Sequence, residues 1–227
     1  MSEERFSGPD EMSESYLATL SPSAQKLLRA ARRLLVRKGF DALRWEAIAR
    51  EARVQKSMIR YYFGDTVGLL RALLRLVIQD ATMWLVEQSE QLPEGPARIH
   101  AHLQGMKQLI RNPQFLSFFD IVPKAFRDEK LRPPMAELYR WVRDINLRCF
   151  GVPVNETNVK ELEAVASLFV AASDGIAIQA ALDPEGYDPE PAFRELEKAL
   201  TFLLEEKTGG SIHQAPPPGR SAAPKPR

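Results

Sequence analysis

The side chains best suited to chemistry form one group of polar, basic and aromatic residues within eight positions: Gln55, Lys56, Ser57, Arg60, Tyr61 and Tyr62. Lys56 and Arg60 stand four residues apart, so both charges lie on one face of a helix. Gln55 and Arg60 suit the discrimination of base edges, while the hydroxyl groups suit phosphates. The group therefore predicts a surface for a nucleic acid.

The charge distribution supports a polyanion site in the same region. The net charge of the 227 residues is only +1, but positions 21–66 contain eleven lysines and arginines against four acids. Positions 1–20 contain five acids and one arginine. A compact basic segment in a near-neutral protein is the electrostatic footprint of a polyanion site, although a solvated helix face would give the same pattern.

A helix-turn-helix would position this group. Ser21 is a candidate N-cap, Pro22 suits the first helical turn, and Gly39 ends the helix that follows. Two short helices are predicted at 45–52 and 56–62, separated by three residues. A unit of this kind places its second helix in the major groove.

The rest of the chain is also predicted to be helical. After a long helix from 66 to about 91, turn signals bound five further helices at 97–111, 114–129, 134–150, 158–182 and 190–207. The fold class is all-α with about nine helices. The predicted parts are a disordered acidic tail (1–20), the helix-turn-helix domain (21–66), a helical domain (67–207) and a disordered tail rich in proline and glycine (208–227).

Residues 43–63, with the sequence LRWEAIAREARVQKSMIRYYF, resemble the helix-turn-helix of the TetR family. The preceding AARRLL (30–35) and Gly39-Phe40 also match that family's first helix, so the close resemblance runs from Leu27 to about Leu70. It implies DNA contacts from the group above and from Arg44 and Thr66.

Three residues depart from the family pattern. Arg53 stands where glycine is usual in the turn, and a side chain in a left-handed turn costs on the order of 1 kcal/mol. Arg60 replaces a common tyrosine, so the base preference should differ. Thr66 stands where a lysine is common, which removes one expected phosphate contact.

The resemblance implies that the C-terminal domain dimerises and holds a small ligand. Residues 172–179 and 182–188 look like the penultimate helix and following turn of a large TetR subgroup. Two helices rich in small and apolar residues could then form a four-helix dimer bundle. The predicted interface residues are Leu162, Val165, Phe169, Ala172, Ile176, Ala180, Phe193, Leu196, Leu200 and Leu203. Packing of these stripes inside one subunit is the alternative.

The middle helices carry a stripe of aromatic and methionine residues, which is either ordinary core or the wall of a cavity. If it is a cavity, the candidate ligand contacts are Trp84, Gln108, Phe118, Phe119, Tyr139, Trp141 and Asp174. Asp174 lies in an otherwise apolar helix, where a structural hydrogen bond is the alternative to a ligand contact.

Other chemistry has little support in the sequence. His100 and His102 point about 200° apart on a helix, which makes a poor metal pair. The single cysteine, Cys149, excludes an intrachain disulfide and a Cys-based zinc cluster. We therefore expect no metal and no cofactor. No run of 18 uninterrupted apolar residues occurs, so no membrane partner is expected, and the polar N-terminus does not resemble a signal peptide.

These observations favour a cytoplasmic, nucleoid-associated regulator of transcription in a bacterium. The expected partners are an inverted-repeat operator in double-stranded DNA, a second copy of the chain and a small-molecule effector; repression is the expected outcome. Two alternatives stay open: a helical adaptor that binds RNA or acidic protein through its basic segment, and an α-helical enzyme. No nucleophile–base pair or phosphate-binding loop supports the enzyme.

Overall fold

The computed structural model describes residues 16–92 and 94–209, and within them every regular element is a helix. The helices are α1 (Pro22–Lys38), α2 (Trp45–Ala52), α3 (Ser57–Phe63), α4 (Thr66–Leu74), α5 (Asp80–Glu90), α6 (Pro96–Leu109), α7 (Pro113–Leu116), α8 (Val122–Arg127), α9 (Arg132–Phe150), α10 (Val159–Leu182) and α11 (Glu190–Thr208). Two 3₁₀ turns (Phe40–Ala42 and Ser117–Asp120) and one π-helical turn (Arg75–Gln79) join them. The predicted all-α fold is confirmed.

Helices α1 to α3 form the head of the molecule, and the local signals expected from the sequence are present. The Ser21 hydroxyl accepts a hydrogen bond from the Ala24 N–H at 3.4 Å and so caps α1. Ile48 of α2 and Ile59 of α3 are fully buried against α1. This packing fixes α3 relative to the other two helices, which leaves its outer face free.

The body of the molecule is the bundle formed by α4 and the helices after it. Helix α4, the π-helical turn and α5 follow one another without a break, as the predicted long helix required. Counting them as one gives ten helices in residues 16–92 and 94–209, one more than expected. The extra helix arises because the predicted helix at 114–129 is wrong: α7, a 3₁₀ turn and α8 occupy that stretch.

Helix α10 is long and apolar enough to cross a membrane by length and composition alone. It packs between α9 and α11, and one of its faces is buried in the body. A core helix of a bundle meets the same criterion, so its packing explains part of its composition. The apolar residues on its outer face need another explanation, which is given below.

The predicted N-terminal tail is too long. Residues 16–18 are helical, and Leu17 is fully buried in the core. The Arg75 guanidinium lies 4.1 Å from the centre of the Tyr16 ring, a cation–π contact that ties this turn to the body. The remainder of the predicted tail, like most of the predicted C-terminal one, lies outside the described residues.

Leu17→Ala tests this correction, with Thr19→Ala as the control because Thr19 is exposed in the same turn. Removing the buried leucine side chain should lower the free energy of unfolding by about 2–4 kcal/mol, whereas the control should change it little. Chemical denaturation of the full chain measures both values. If both substitutions had equally small effects, residues 16–20 would not contribute to the core and would belong to the N-terminal tail, as predicted from the sequence.

Candidate nucleic-acid interface and interior cavity

The turn between α2 and α3 has a left-handed residue at Arg53, where the family pattern usually has glycine. Arg53 has φ +54° and ψ +45°, a left-handed backbone that favours glycine. The Val54 N–H donates to the Ala49 carbonyl at 3.0 Å, which closes the end of α2. The turn therefore keeps its geometry despite the arginine, whose side chain is exposed.

The outer face of α3 carries the predicted contact residues. Gln55, Lys56, Ser57 and Arg60 are exposed, and Tyr61 is 77% exposed. Their exposure results from the anchoring of Ile59 on the opposite side of the same short helix. Among the described residues, the Arg60 side chain has no recorded hydrogen bond or ion pair, so its guanidinium is available to a base edge.

The other predicted contacts flank this face with unequal exposure. Arg44 is exposed at the N-cap of α2, and Thr66 is exposed at the first position of α4. Tyr62 is half-buried and packs against the core, with its ring 5.0 Å from that of Tyr61 in an edge-to-face contact. Its ring is therefore less available than its neighbour's.

Lys56 is the one residue of this predicted group with an ion pair among the described residues, and its partner is Glu46 of α2. The ammonium group holds the pKa of the Glu46 carboxyl below its usual value. Both side chains are more than half exposed, so the pair adds little stability. Lys56 can therefore exchange Glu46 for a phosphate at low cost.

The body encloses a cavity of about 40 Å³ between α5, α6, α7, α9 and α10 and the 3₁₀ turn that follows α7. Its wall is mostly apolar and aromatic, with a few polar groups on α5, α9 and α10. The lining residues are Ile78, Thr82, Met106, Phe115, Phe118, Leu138, Tyr139, Val142, Asn146, Phe169, Val170, Ser173 and Asp174.

An acid forms part of this wall. The Tyr139 hydroxyl donates to Asp174 Oδ2 at 2.8 Å. Burial raises the pKa of the Asp174 carboxyl to about 6, although the hydrogen bond from Tyr139 opposes the shift. The same burial, together with the carboxylate, raises the pKa of Tyr139. Both groups are therefore poorly solvated, and both line the cavity.

A second polar pair joins the cavity wall to the core behind it, because Asn146 lines the cavity and His102 does not. His102 is fully buried, and its Nε2 lies 2.7 Å from Asn146 Oδ1. Because the Asn146 amide donates to the Val142 carbonyl at 2.7 Å, its oxygen is the acceptor for His102. Burial lowers the pKa of His102 to about 4, so the ring is neutral at physiological pH.

The predicted ligand contacts are only partly brought together. Phe118, Tyr139 and Asp174 line the cavity, and Phe119 packs against Phe118 behind the lining. The remaining predictions are wrong as lining residues: Gln108 is exposed, Trp84 is buried elsewhere in the core, and Trp141 packs against both the main core and the small cluster that contains Cys149. Burial also raises the pKa of Cys149 to about 11, which makes the thiol unreactive.

Sequence reasoning missed the polar residues Thr82, Asn146 and Ser173 of this wall, each less than 7% exposed. A usable signal was present, since each lies among apolar residues on the inner face of its helix. Phe169, predicted to be in the dimer interface, also belongs to the cavity wall.

Most of the predicted interface residues lie inside the subunit. The buried ones are Leu162, Val165, Phe169, Ile176, Phe193 and Leu200, and these predictions are wrong because the subunit's own helices cover them. Ala172, Ala180, Leu196 and Leu203 are half-buried. The alternative of packing within one subunit is therefore correct for this face.

The exposed stripe of α10 is formed by Leu168, Ala171, Ile178 and Leu182, with the half-buried Gly175 between them, all at helical spacing. Leu168 is 54% exposed and Leu182 is 80% exposed. Phe202 of the neighbouring α11 is 64% exposed and extends this apolar surface. Exposed apolar surface of this kind is typical of sites that contact another molecule.

The junction connects the head with the body and consists of Gly39–Asp41 on one side and Asp120–Lys124 on the other. The Phe40 N–H donates to the Asp120 carboxylate. Lys124 Nζ lies 2.6 Å from Asp41 Oδ2. Phe118, two residues before Asp120, belongs to the cavity wall. One short segment therefore contacts both the cavity and the head.

These features define a helix-turn-helix DNA-binding protein with an interior cavity in its second domain. Residues 27–73 match the family model of bacterial regulatory proteins of the tetR family. Over 195 residues the chain is 28% identical to the HTH-type transcriptional regulator BetI of Vibrio campbellii, covering 80% of this chain and 94% of the relative. It is 25% identical to BetI 2 of Chromohalobacter salexigens over 174 residues, or 74% and 82% of the two chains.

Solved structures agree on the fold. A TetR-family regulator from Rhodococcus superposes with a TM-score of 0.64 at 20% identity, covering 82% of this chain and all of that one. The multidrug binding protein EbrR, solved with imidazole, gives 0.60 at 24% identity, covering 81% and 91%. Together the matches support a DNA-binding transcriptional regulator of the TetR type.

The buried acid predicts an unusual dependence of stability on pH. Because the folded state binds the Asp174 proton more tightly than an ordinary aspartate near 3.8, its contribution to stability is fully present below that pH and is lost as the pH rises toward about 6. Asp174→Asn keeps an acceptor for Tyr139 and should raise the free energy of unfolding at pH 8, by at most about 3 kcal/mol.

The gain should shrink as the pH falls from 7 to 5, which denaturation of both proteins across that range measures. The control is Asp144→Asn, at an exposed position of α9, which should show no such trend. A loss of stability at pH 8, or a gain independent of pH, would show that Asp174 is not destabilised when ionised.

Proposed function

We propose that the protein is a homodimeric repressor that binds an inverted-repeat operator and that a small molecule in the cavity changes its operator affinity. The observation that carries this proposal is the exposed face of α3, where Arg60 has no recorded partner among the described residues. The proposal assigns the protein to chromosomal DNA in the bacterial cytoplasm. Protection of DNA near its own gene, mapped with purified protein, is the direct test.

The ligand part of the proposal rests on the cavity and on the junction. EbrR, which has a similar fold, has also been solved with ethidium, at a TM-score of 0.58 and 23% identity over 80% of this chain and 98% of that one. The long helix of α4 and α5 offers one route to the head, because Thr82 of α5 lines the cavity. The junction offers a second route because its segment begins at the cavity wall.

Arg60→Ala and Lys56→Ala separate base recognition from phosphate contact. If Arg60 binds a base edge in bidentate fashion, its loss should cost about 1–3 kcal/mol on the operator and relax preference at one or two positions. Loss of Lys56 should weaken operator and random duplex alike and reduce the salt slope by about 1. Titrations at several salt concentrations measure both.

Lys26→Ala is the control, since Lys26 lies on α1 outside the predicted contact group. An RNA duplex of the same sequence tests the adaptor alternative. Wild-type affinity for the operator in both variants would show that α3 is not the reading helix. Stronger binding to the RNA than to the DNA would favour the adaptor.

Dimerisation is assigned to the exposed stripe and Phe202. Leu168→Glu places a charge where two apolar surfaces would meet, so it should produce monomers and lower operator affinity strongly. Ala136→Glu adds the same charge at an exposed position of α9 and should leave the dimer intact. Sedimentation at micromolar concentration measures the state of each protein, and a monomeric wild type would contradict the assignment.

Coupling through the junction can be tested without knowing the ligand. Ser173→Val adds bulk to the cavity wall and should weaken operator binding several-fold, or by about 1 kcal/mol, because a repressor's ligand favours the conformer that binds DNA less well. Ser173→Ala removes the hydroxyl without filling the cavity and is the control.

Lys124→Ala breaks the ion pair to Asp41 at an exposed site, where the loss of stability should be small. In that background the effect of Ser173→Val on operator affinity should shrink. The four proteins form a double-mutant cycle, which yields the coupling directly. Full additivity would show that the signal does not pass through this ion pair.

A further inference from the structure

Two polar groups of the cavity wall contact each other directly, since the Tyr139 hydroxyl of α9 donates to Asp174 of α10 at 2.8 Å. Ser173 precedes Asp174 on the same helix, the other polar lining residues are Thr82 of α5 and Asn146 of α9, and the rest of the wall is apolar or aromatic. A ligand that fits this wall has one polar end and one compact apolar end. The chemistry of the polar end follows from the charge of the wall residues and from the hydrogen bonds that they already form.

One buried hydroxyl in this wall lacks a partner. Ser173 is 3% exposed, and its Oγ has no hydrogen bond with the described residues. The amide of Asn146, which also lines the wall, is already occupied by His102 and the Val142 carbonyl. Leaving a buried polar atom unpaired costs free energy, so this hydroxyl favours a ligand that hydrogen-bonds with it.

The charge carried by the cavity wall is negative. Asp174 is the acid among the lining residues, and the described residues that line the cavity include no lysine or arginine. The contact recorded for its carboxylate is the neutral hydroxyl of Tyr139. Burial raises the pKa of Asp174, which shows that its negative charge is poorly solvated there. A cation in the cavity would stabilise the charged form.

We propose that the cavity binds a small organic ammonium ion with at least one N–H, whose N–H groups donate to Asp174 and Ser173 and whose apolar body contacts the aromatic wall. That this ion regulates DNA binding rests on the proposed function. The chemical class of the ligand rests on the cavity alone. A carboxylate or phosphate ligand is disfavoured because it would lie against Asp174. A neutral alcohol would bind without the charge-assisted hydrogen bond.

The aromatic rings add to this selectivity. Phe118 and Tyr139 meet edge to face with ring centres 5.8 Å apart, beside the acid. Aromatic faces attract ammonium groups, including those that lack an N–H. A quaternary ammonium is therefore the informative competitor, since it retains the charge and the ring contact but cannot donate to Asp174 or Ser173.

The small volume limits the size of the first probes. A cavity of about 40 Å³ holds only one or two water molecules before its walls move. Propylamine, 1-propanol, propionate and tetramethylammonium are compact enough for a comparison and differ in the group that matters. Each is titrated at millimolar concentration against the full chain, with binding followed by chemical shifts of the protein.

Wild-type protein should bind propylamine at least tenfold more tightly than 1-propanol and tetramethylammonium, and propionate should not bind. Asp174→Asn should remove the preference for propylamine over 1-propanol. Ser173→Ala should weaken propylamine binding a few-fold. Asp144→Asn, at an exposed position of α9, should preserve the wild-type order and serves as the matched control.

Any of three results would overturn the inference: equal binding of amine and alcohol, tetramethylammonium binding as tightly as propylamine, or a preference for propylamine that survives Asp174→Asn. Operator binding of the same proteins without probe is measured in parallel. If the wild type did not bind operator DNA, the proposed function would be contradicted. The inference about the ligand selectivity of the cavity would still stand.

Discussion

The hydrogen bond from the Phe40 N–H to Asp120 sets the head on the body together with the apolar packing of α1 and α3 on α4. It requires a close approach, because a Cβ on Gly39 would lie 2.7 Å from Asp120 Oδ2. Gly39 also has φ +76°, a backbone conformation that favours glycine. Both the end of α1 and the contact with the body therefore favour glycine at this position. The placement of α3 relative to the bundle depends on this junction and on the long helix together.

The junction gives the cavity a mechanical connection to the reading surface. The segment of α7, the 3₁₀ turn and α8 consists of short helical pieces, whereas α9 and α10 are long helices. Phe118 faces the cavity at one end of this segment and Lys124 pairs with Asp41 at the other. A ligand that displaces Phe118 therefore acts on the head without bending a long helix. Two heads in a dimer must keep a spacing of about 34–36 Å to read adjacent turns of DNA.

Local signals allowed the head to be predicted from the sequence almost residue by residue, since its caps, its short apolar faces and its turn are all encoded nearby. The dimer surface could not be predicted in this way. Helix α10 is apolar on several faces, and periodicity does not reveal which face the subunit covers itself. Phe169 and Leu168 are adjacent and similar in character, yet one lies in the cavity wall and the other is exposed. The break at 117–121 was missed because Pro123 signals a helix start as readily as an interruption.

Asp174 and Ser173 are cavity-wall residues whose charge and hydroxyl the body does not fully satisfy, and the buried Trp84 Nε1 and His102 Nδ1 also lack a partner among the described residues. An acid buried without a cation and a hydroxyl buried without a partner both lower stability, and both lie on the same turn of one helix. Phe150 and Phe169 pack edge to face with ring centres 5.2 Å apart, and Phe169 belongs to the same cavity wall. Local violations of this kind are expected at functional sites, where a ligand supplies the missing interaction. The same two residues lie beside Phe118, at the end of the segment that leads to the head. A ligand that satisfied these two residues would therefore lie where it could also displace the segment that leads to the head.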